Sequence, residues 1–262
     1  TAPQLLLIHG TGASTHSWRG VMPALADRYT LVAPDLPGHA FTGRLPDSQM
    51  TLPGMAKAVL GLLATMEIAP DAIIGHSAGA AIALTMARER DRFADTPIIG
   101  LNAALTPLPW PATQVFPAMA RLLALNPLVP KVFSGVSRLA GDTEGFIQRS
   151  TGSRLDREGA RCYATLLGNS RHAHGALAMM AHWDLDTLDR ALPDIANPVL
   201  LVHGRDDNAI PLHGVEESAR KLPNAQLEVL PRLGHLAHEE RPEEVAALIA
   251  EFLARHCVEG AD

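Results

Sequence analysis

Cysteine is nearly absent: Cys162 and Cys257 are the two in 262 residues, far apart, so no disulfide framework is expected and a reducing, cytoplasmic address follows. No stretch approaches the roughly twenty apolar residues of a membrane span. No apolar leader with a charged start is expected either. Lysine and arginine number 22 against 28 aspartates and glutamates, a net charge of −6, and the basic residues are not clustered. Nucleic acid is excluded as a partner on that ground, because neutralising phosphates needs a basic patch. Aromatics make up only 4% of the chain. No internal repeat and no compact metal-ligand spacing is visible. What remains is a 47% hydrophobic chain, long enough for one domain that buries about three-quarters of its unfolded surface.

The most informative stretch present is Gly75-His76-Ser77-Ala78-Gly79. It follows the apolar Asp71-Ala72-Ile73-Ile74 and precedes the helix-forming Ala80-Ala81-Ile82-Ala83-Leu84. Strand, tight turn and helix are predicted, with Ser77 at the apex and glycines where a Cβ would clash. G-x-S-x-G is common by chance, and a bland reading is a Gly-rich turn packing helix on strand. The strand-turn-helix context favours a nucleophile elbow. A serine nucleophile needs a base, a carboxylate to orient it and donors for the oxyanion. His235, in Leu230-Pro231-Arg232-Leu233-Gly234-His235, stands on the loop after a strand and is the expected base. The polar turn after the apolar Leu200-Leu201-Val202-His203 carries Asp206 and Asp207. Adjacent side chains on an extended segment point in opposite directions, so only one of the two can face the histidine.

Leu5-Leu6-Leu7-Ile8-His9-Gly10-Thr11-Gly12 is a buried strand ending in a loop. With the elbow, the acid turn and the histidine loop, it resembles the α/β-hydrolases. The resemblance implies oxyanion N–H groups from Thr11, after His9-Gly10, and from Ala78, after the nucleophile. The family's G-x-x-D-x-x-x-P spacing, matched by Gly204 to Pro211, implies Asp207 as the acid and leaves Asp206 to cap turn N–H groups. In some members the acid follows the sixth strand instead, where this chain has Asn102-Ala103-Ala104 and no carboxylate.

Apolar runs alternate with helical patterns, so the expected class is α/β: a mostly parallel sheet with helices on both faces. Trp18, Val21, Met22 and Leu25 fall on one helix face, and Thr51 caps a helix with Leu52, Met55, Val59, Leu62, Leu63 and Met66. Val245, Leu248, Ile249 and Phe252 form a stripe on the last helix, with Glu243 and Glu244 suited to its N-terminus. From about 105 to 190 the alternation breaks down, with Pro107, Pro109, Pro111, Pro117, Pro127 and Pro130 punctuating helical pieces. This stretch resembles the helical cap that α/β-hydrolases insert after the sixth strand, which makes 1–104 and 191–262 the core domain. Two antiparallel strands usually precede the strand entering His-Gly in this fold. Here that strand is already at residues 5–8, so those two are expected to be absent and Tyr29–Ala33 to form a bare sheet edge.

A closer resemblance covers nearly the whole chain. Gly10 to Trp18, Ala33 to Thr42, Gly75 to Ala81, Gly100-Leu101-Asn102-Ala103-Ala104-Leu105, Ala176 to Leu185 and Gly234 to Pro242 are similar to the magnesium-chelatase accessory family of bacteriochlorophyll synthesis. The resemblance implies a role beside magnesium insertion, with a porphyrin or magnesium porphyrin as small-molecule substrate and an association with magnesium chelatase. It places Asn102 at the pocket roof and Met179, Met180 and Trp183 along the cap, where packing of the cap's own core explains them equally well. His172, His174 and His182 read as cap-surface histidines, Asp35, Pro37, Gly38 and His39 as a turn, His76 as pointing into the scaffold and His238 as opening the last helix. No metal or cofactor is called for. Ester cleavage is the expected reaction, with carbon–carbon bond hydrolysis on the same residues and a non-catalytic tetrapyrrole carrier as rivals.

Overall fold

The computed structural model describes residues 2–89, 93–107, 135 and 142–256. Its centre is a six-stranded sheet in the order β2-β1-β3-β4-β5-β6, built from β1 (Gln4–Ile8), β2 (Thr30–Val32), β3 (Ala72–His76), β4 (Ile98–Leu101), β5 (Val199–Gly204) and β6 (Ala225–Leu230). Every pairing among these strands is parallel. Parallel sheets are covered on both faces, and the sequence shows why this one is: its central strands are continuous apolar runs, not alternating ones. Leu5 and Leu7 enter one apolar cluster with Trp18, Val21 and Phe252. Leu6 and Ile8, one residue out of phase, enter the other with Val59, Leu63 and Ile82.

The first cluster is closed by α1 (Val21–Leu25) and the last helix. The second is closed by α2 (Leu52–Thr65) and α3 (Ala78–Glu89). Thr51 caps α2 as expected, its side chain accepting from Gly54 N. Leu62 and Met66, assigned to the buried face of α2, are exposed; the buried stripe runs through Leu52, Met55, Val59 and Leu63. The first apolar helix pattern also divides, into a 3-10 turn at Thr15–Trp18 and the short α1. A Cβ on the intervening Gly20 would come within 2.6 Å of Pro242.

Between β4 and β5 the described residues form α4 (Thr143–Thr151), α5 (Arg157–Leu167), α6 (Ser170–Ala181) and α7 (Asp186–Ala191). Pro109, Pro111, Pro117, Pro127 and Pro130 lie outside the described residues, as does Cys257. After β5 come α8 (Leu212–Lys221), then β6, the single turn α9 (Ala237–Glu240) and α10 (Pro242–His256). Val245, Ile249 and Phe252 of α10 are buried, as their stripe implies. No helix among the described residues is long and apolar enough to cross a membrane. The β2 edge carries an exposed Thr30 and half-buried Leu31 and Val32. The chain leaves β1 for β2 on one side and returns to β3 on the other. A crevice outside the carboxyl ends of β1 and β3 follows from that reversal, and it is where ligands of open α/β sheets bind.

Candidate active site

Ser77 stands at that reversal, between the last residue of β3 and the first of α3. Its φ is +52°, a left-handed conformation that costs a non-glycine residue of order 1 kcal/mol or more. The turn is held by Ser77 N donating to Leu101 O at 2.9 Å, and Ser77 O accepts from Ala80 N and Ala104 N. Glycine is imposed two residues to either side by close approach. A Cβ on Gly79 would lie 2.1 Å from Ile8 O, and one on Gly75 would lie 2.4 Å from Ala80 N. Ala78 begins α3, so its N–H is one of the donors a helix N-terminus leaves without an intrahelical partner.

The loop after β1 lies against this elbow: a Cβ on Gly10 would come 3.0 Å from Ser77 Cβ and 2.9 Å from His76 Nδ1. Thr11 follows, its hydroxyl 3.5 Å from Met179 Sδ on α6. The loop is pinned by His9, whose Nε2 accepts from Leu36 N at 2.9 Å while Nδ1 meets Gly10 O at 2.8 Å. Burial lowers the pKa of His9 to about 4, against the opposing pull of the Gly10 carbonyl and Asp35. It is therefore a neutral structural imidazole. Asp35 accepts from both N and Oγ1 of Thr15, so the Asp35–His39 segment is the turn expected of it.

His235 Nδ1 lies 2.7 Å from Asp207 Oδ2. The same oxygen accepts from Asn102 Nδ2 at 2.8 Å, and Oδ1 accepts from Ala209 N at 2.7 Å and Ile210 N at 2.8 Å. Burial by itself would push the Asp207 carboxyl up; hydrogen bonds from His235, Ile210 and Asn102 hold it below the usual range. An ionised carboxylate only accepts, so His235 Nδ1 carries the proton of this contact and Nε2 is the ring nitrogen turned away from Asp207. Asp206 is exposed. The turn-capping assigned to Asp206 falls to Oδ1 of Asp207 itself.

Several expectations are corrected. Asn102 does not roof a pocket: it is fully buried, has φ +44°, and bridges Asp207 to Gly234 O. Met179 is buried against Thr11, but its neighbour Met180 is 46% exposed. Adjacent positions on a helix point about 100° apart, so the two cannot line one wall. Trp183 is half-buried and packs on the cluster beneath α2 and α3. His172 is not a surface histidine. It is buried, with Nδ1 accepting from Ala40 N at 3.0 Å and Nε2 facing Gly12 O at 3.1 Å. Backbone groups thus occupy both ring nitrogens. His174 and His182 are half-buried.

The sequence reading missed the clamp around the histidine loop. His235 N donates to Thr151 O at 2.8 Å, and Leu236 N to Ser153 Oγ at 2.8 Å. Between them Gly152, at φ +75°, leaves no room for a side chain: a Cβ there would meet Asp206 O at 2.1 Å. His76 Nε2 reaches His235 O at 2.9 Å, and a carbonyl only accepts, so Nε2 carries the proton. Behind it, Glu239 takes Ser17 Oγ at 3.0 Å, Tyr163 Oη at 2.7 Å and Arg19 at 2.9 Å. Burial raises the Glu239 carboxyl to about 7 despite these partners. The Gly after Thr151 at a helix end was the one signal of the clamp in the sequence; nothing marked Glu239.

A profile of the family described as alpha/beta hydrolase fold matches residues 3–242. The magnesium-chelatase 30 kDa subunit of Rhodobacter capsulatus is 40% identical over 256 residues, 96% of this chain and 87% of that protein. The 2-hydroxymuconate semialdehyde hydrolase of Pseudomonas sp. (strain CF600) is 27% identical over 264 residues, 95% of this chain and 86% of that protein. Among solved structures, a thermophilic esterase from Thermogutta terrifontis superposes with a TM-score of 0.77 at 24% identity, covering 98% of this chain and 92% of the esterase. With its doubly wound parallel sheet, its serine at the β3–α3 turn and a profile match over nearly its whole length, this chain belongs to the alpha/beta hydrolase fold family.

Proposed function

We propose that this protein is a serine hydrolase that cleaves a carboxylic ester of a small molecule. The observation that carries the reading is the His235–Asp207 contact at 2.7 Å, on the same carboxyl edge of the sheet as the strained Ser77. In this reading His235 Nε2 takes the Ser77 hydroxyl proton as Oγ attacks the ester carbonyl. The oxyanion is received by the N–H groups of Thr11 and Ala78; where side-chain oxyanion donors have been removed elsewhere, each was worth about 10²–10³ in rate. Collapse of the adduct expels the alcohol, which leaves with the proton from His235. Water, activated by the same imidazole, then splits the acyl-serine and frees the acid and Ser77.

Residues 105–190 act as a cap in this proposal, excluding water and shaping the pocket. Support comes from Met179 of α6, which reaches the Thr11 loop. For the substrate we infer a porphyrin or magnesium porphyrin, and for the partner magnesium chelatase, both on the strength of the 40% identical chelatase subunit. A cytoplasmic address suits Cys162, which is a free thiol.

That same relative favours a second reading, a tetrapyrrole carrier or chelatase-associated factor whose serine is idle. The semialdehyde hydrolase favours carbon–carbon bond hydrolysis as a variant of the first. Labelling with a fluorophosphonate and turnover of an activated short ester decide between enzyme and carrier. The enzyme reading expects both in the wild type and neither in Ser77→Ala of unchanged melting temperature. Equal behaviour of the two proteins overturns it. Cleavage of a vinylogous diketone with little ester turnover would select the carbon–carbon variant.

A further inference from the structure

The segment after β2 folds into a compact loop bonded to itself: Gly38 N donates to Gly43 O, His39 N to Leu36 O and Thr42 N to His39 O. Its tip is unusual in two ways. Ala40 is held at φ +43°, and the Phe41 that follows is 100% exposed. An aromatic ring displayed on a loop braced into a left-handed turn forfeits burial worth about 2 kcal/mol. Across from it stand the C-terminal half of α5 and the start of α6.

Two clefts open on either side of Phe41. One, of about 390 Å³, runs between the loop and the first turn of α6 and carries Arg44, Arg171 and His174. The other, of about 320 Å³, runs between the loop and α5 and carries His16, Arg161 and Leu166. Ala40, Phe41 and Asn169 line both, so the clefts are continuous around the ring. Each is within the usual range of small-molecule sites. Among the described residues every charged side chain in either wall is cationic, with no aspartate or glutamate, on a chain of net charge −6. Arg44 is paired with Asp47. Among the described residues the guanidinium groups of Arg161 and Arg171 form no ion pair.

We propose that the two clefts form one binding site for an amphipathic organic anion. A flat apolar body lies along Phe41 and Leu166, and its acidic groups meet Arg161 and Arg171. Charge complementarity sets the sign of the ligand, and the exposed ring between the guanidinium groups sets its apolar, planar character. The site communicates with the candidate active site through His172, next to Arg171. That ring takes the N–H of Ala40 on one side and faces the carbonyl of Gly12, beside Thr11, on the other. The inference stands whether or not Ser77 reacts.

Two fluorescent probes that share a body but not a charge test it: anilinonaphthalene sulfonate and the neutral phenylnaphthylamine, titrated against the intact chain. The sulfonate is expected to bind about tenfold more tightly, the size of two partly exposed charge contacts. Added salt should erase that advantage. The double variant Arg161→Gln and Arg171→Gln should lose it while binding the neutral probe as before; both side chains are exposed, so the fold is not at stake. Phe41→Ala should weaken both probes. Equal affinities in the wild type, unchanged sulfonate binding in the double variant, or indifference to Phe41→Ala would each overturn the proposal.

Discussion

Asn102 Nδ2 lies 2.8 Å from Asp207 Oδ2, the oxygen that His235 Nδ1 approaches at 2.7 Å. One carboxylate oxygen therefore takes a donor from the end of β4 and a donor from the loop after β6. Asn102 reaches it from a left-handed backbone position in a fully buried setting, so its placement was built at a cost in strain.

Asn102→Ala should lower ester turnover about 10- to 100-fold with KM little changed. A charge-assisted hydrogen bond is worth about 1.5–3 kcal/mol, and its loss frees Asp207 to turn from His235. Asn102→Asp should be worse, since two buried carboxylates would then share one imidazole. Steady-state kinetics on an activated ester measure both, and a wild-type rate in Asn102→Ala would remove Asn102 from the machinery.

Asp207→Asn should cost about 10⁴ in kcat, the loss seen when the orienting carboxylate of a serine triad is amidated. Asp206→Asn should change kcat less than threefold, because Asp206 is exposed while its neighbour holds His235. Parallel kinetics on the two variants check the ranking. Small and equal losses would point to an idle serine.

Gly152→Ala should reduce both stability and turnover. Its φ of +75° and the 2.1 Å approach to Asp206 O leave no room for a methyl group, and overpacking of this kind costs about 3 kcal/mol. The loops it wedges carry Asp207 and His235, so a chemical-denaturation curve and a kinetic assay should move together. A stability loss with unchanged kcat would show that the clamp is structural only.

The buried histidines set an acid limb of stability. His9 has a folded pKa of about 4 against an unfolded 6.5, so between those values the unfolded chain binds more protons and stability falls as pH falls. From pH 7 to 5 the His9 contribution lost is about 2 kcal/mol. Glu239, raised from 4.5 to about 7, works with the opposite sign: its contribution is complete below 4.5 and lost as pH rises through 7. Urea midpoints at pH 7 and 5 should show His9→Asn starting less stable and losing less on acidification. Equal losses in mutant and wild type would refute the assignment.

The local grammar of the site was legible in the chain. Glycines around Ser77, a polar turn after an apolar strand and a histidine ahead of the last helix each follow from nearest-neighbour sterics and hydrophobic runs, which act over a few residues. The choice of Asp207 over Asp206 came from resemblance to the family's acid loop, matched by Gly204 to Pro211, and the contact with His235 is consistent with it. Sequence patterning likewise determined the parallel sheet, because strands buried on both faces cannot alternate polar and apolar residues.

The tertiary structure decided whatever depends on segments distant in the chain. Asn102 looked like a pocket residue because its partner lies 105 residues away. His172 looked exposed because the two backbone groups that hold it, at Gly12 and Ala40, come from loops more than a hundred residues earlier. Met179 and Met180 are chemically the same, and only the angle of α6 against the Thr11 loop turns one inward and the other to solvent. Composition records how much apolar and polar surface a chain has. Which buried polar group finds which partner is settled when the sheet brings its strand ends together, since an unmet partner there costs more than any local preference returns.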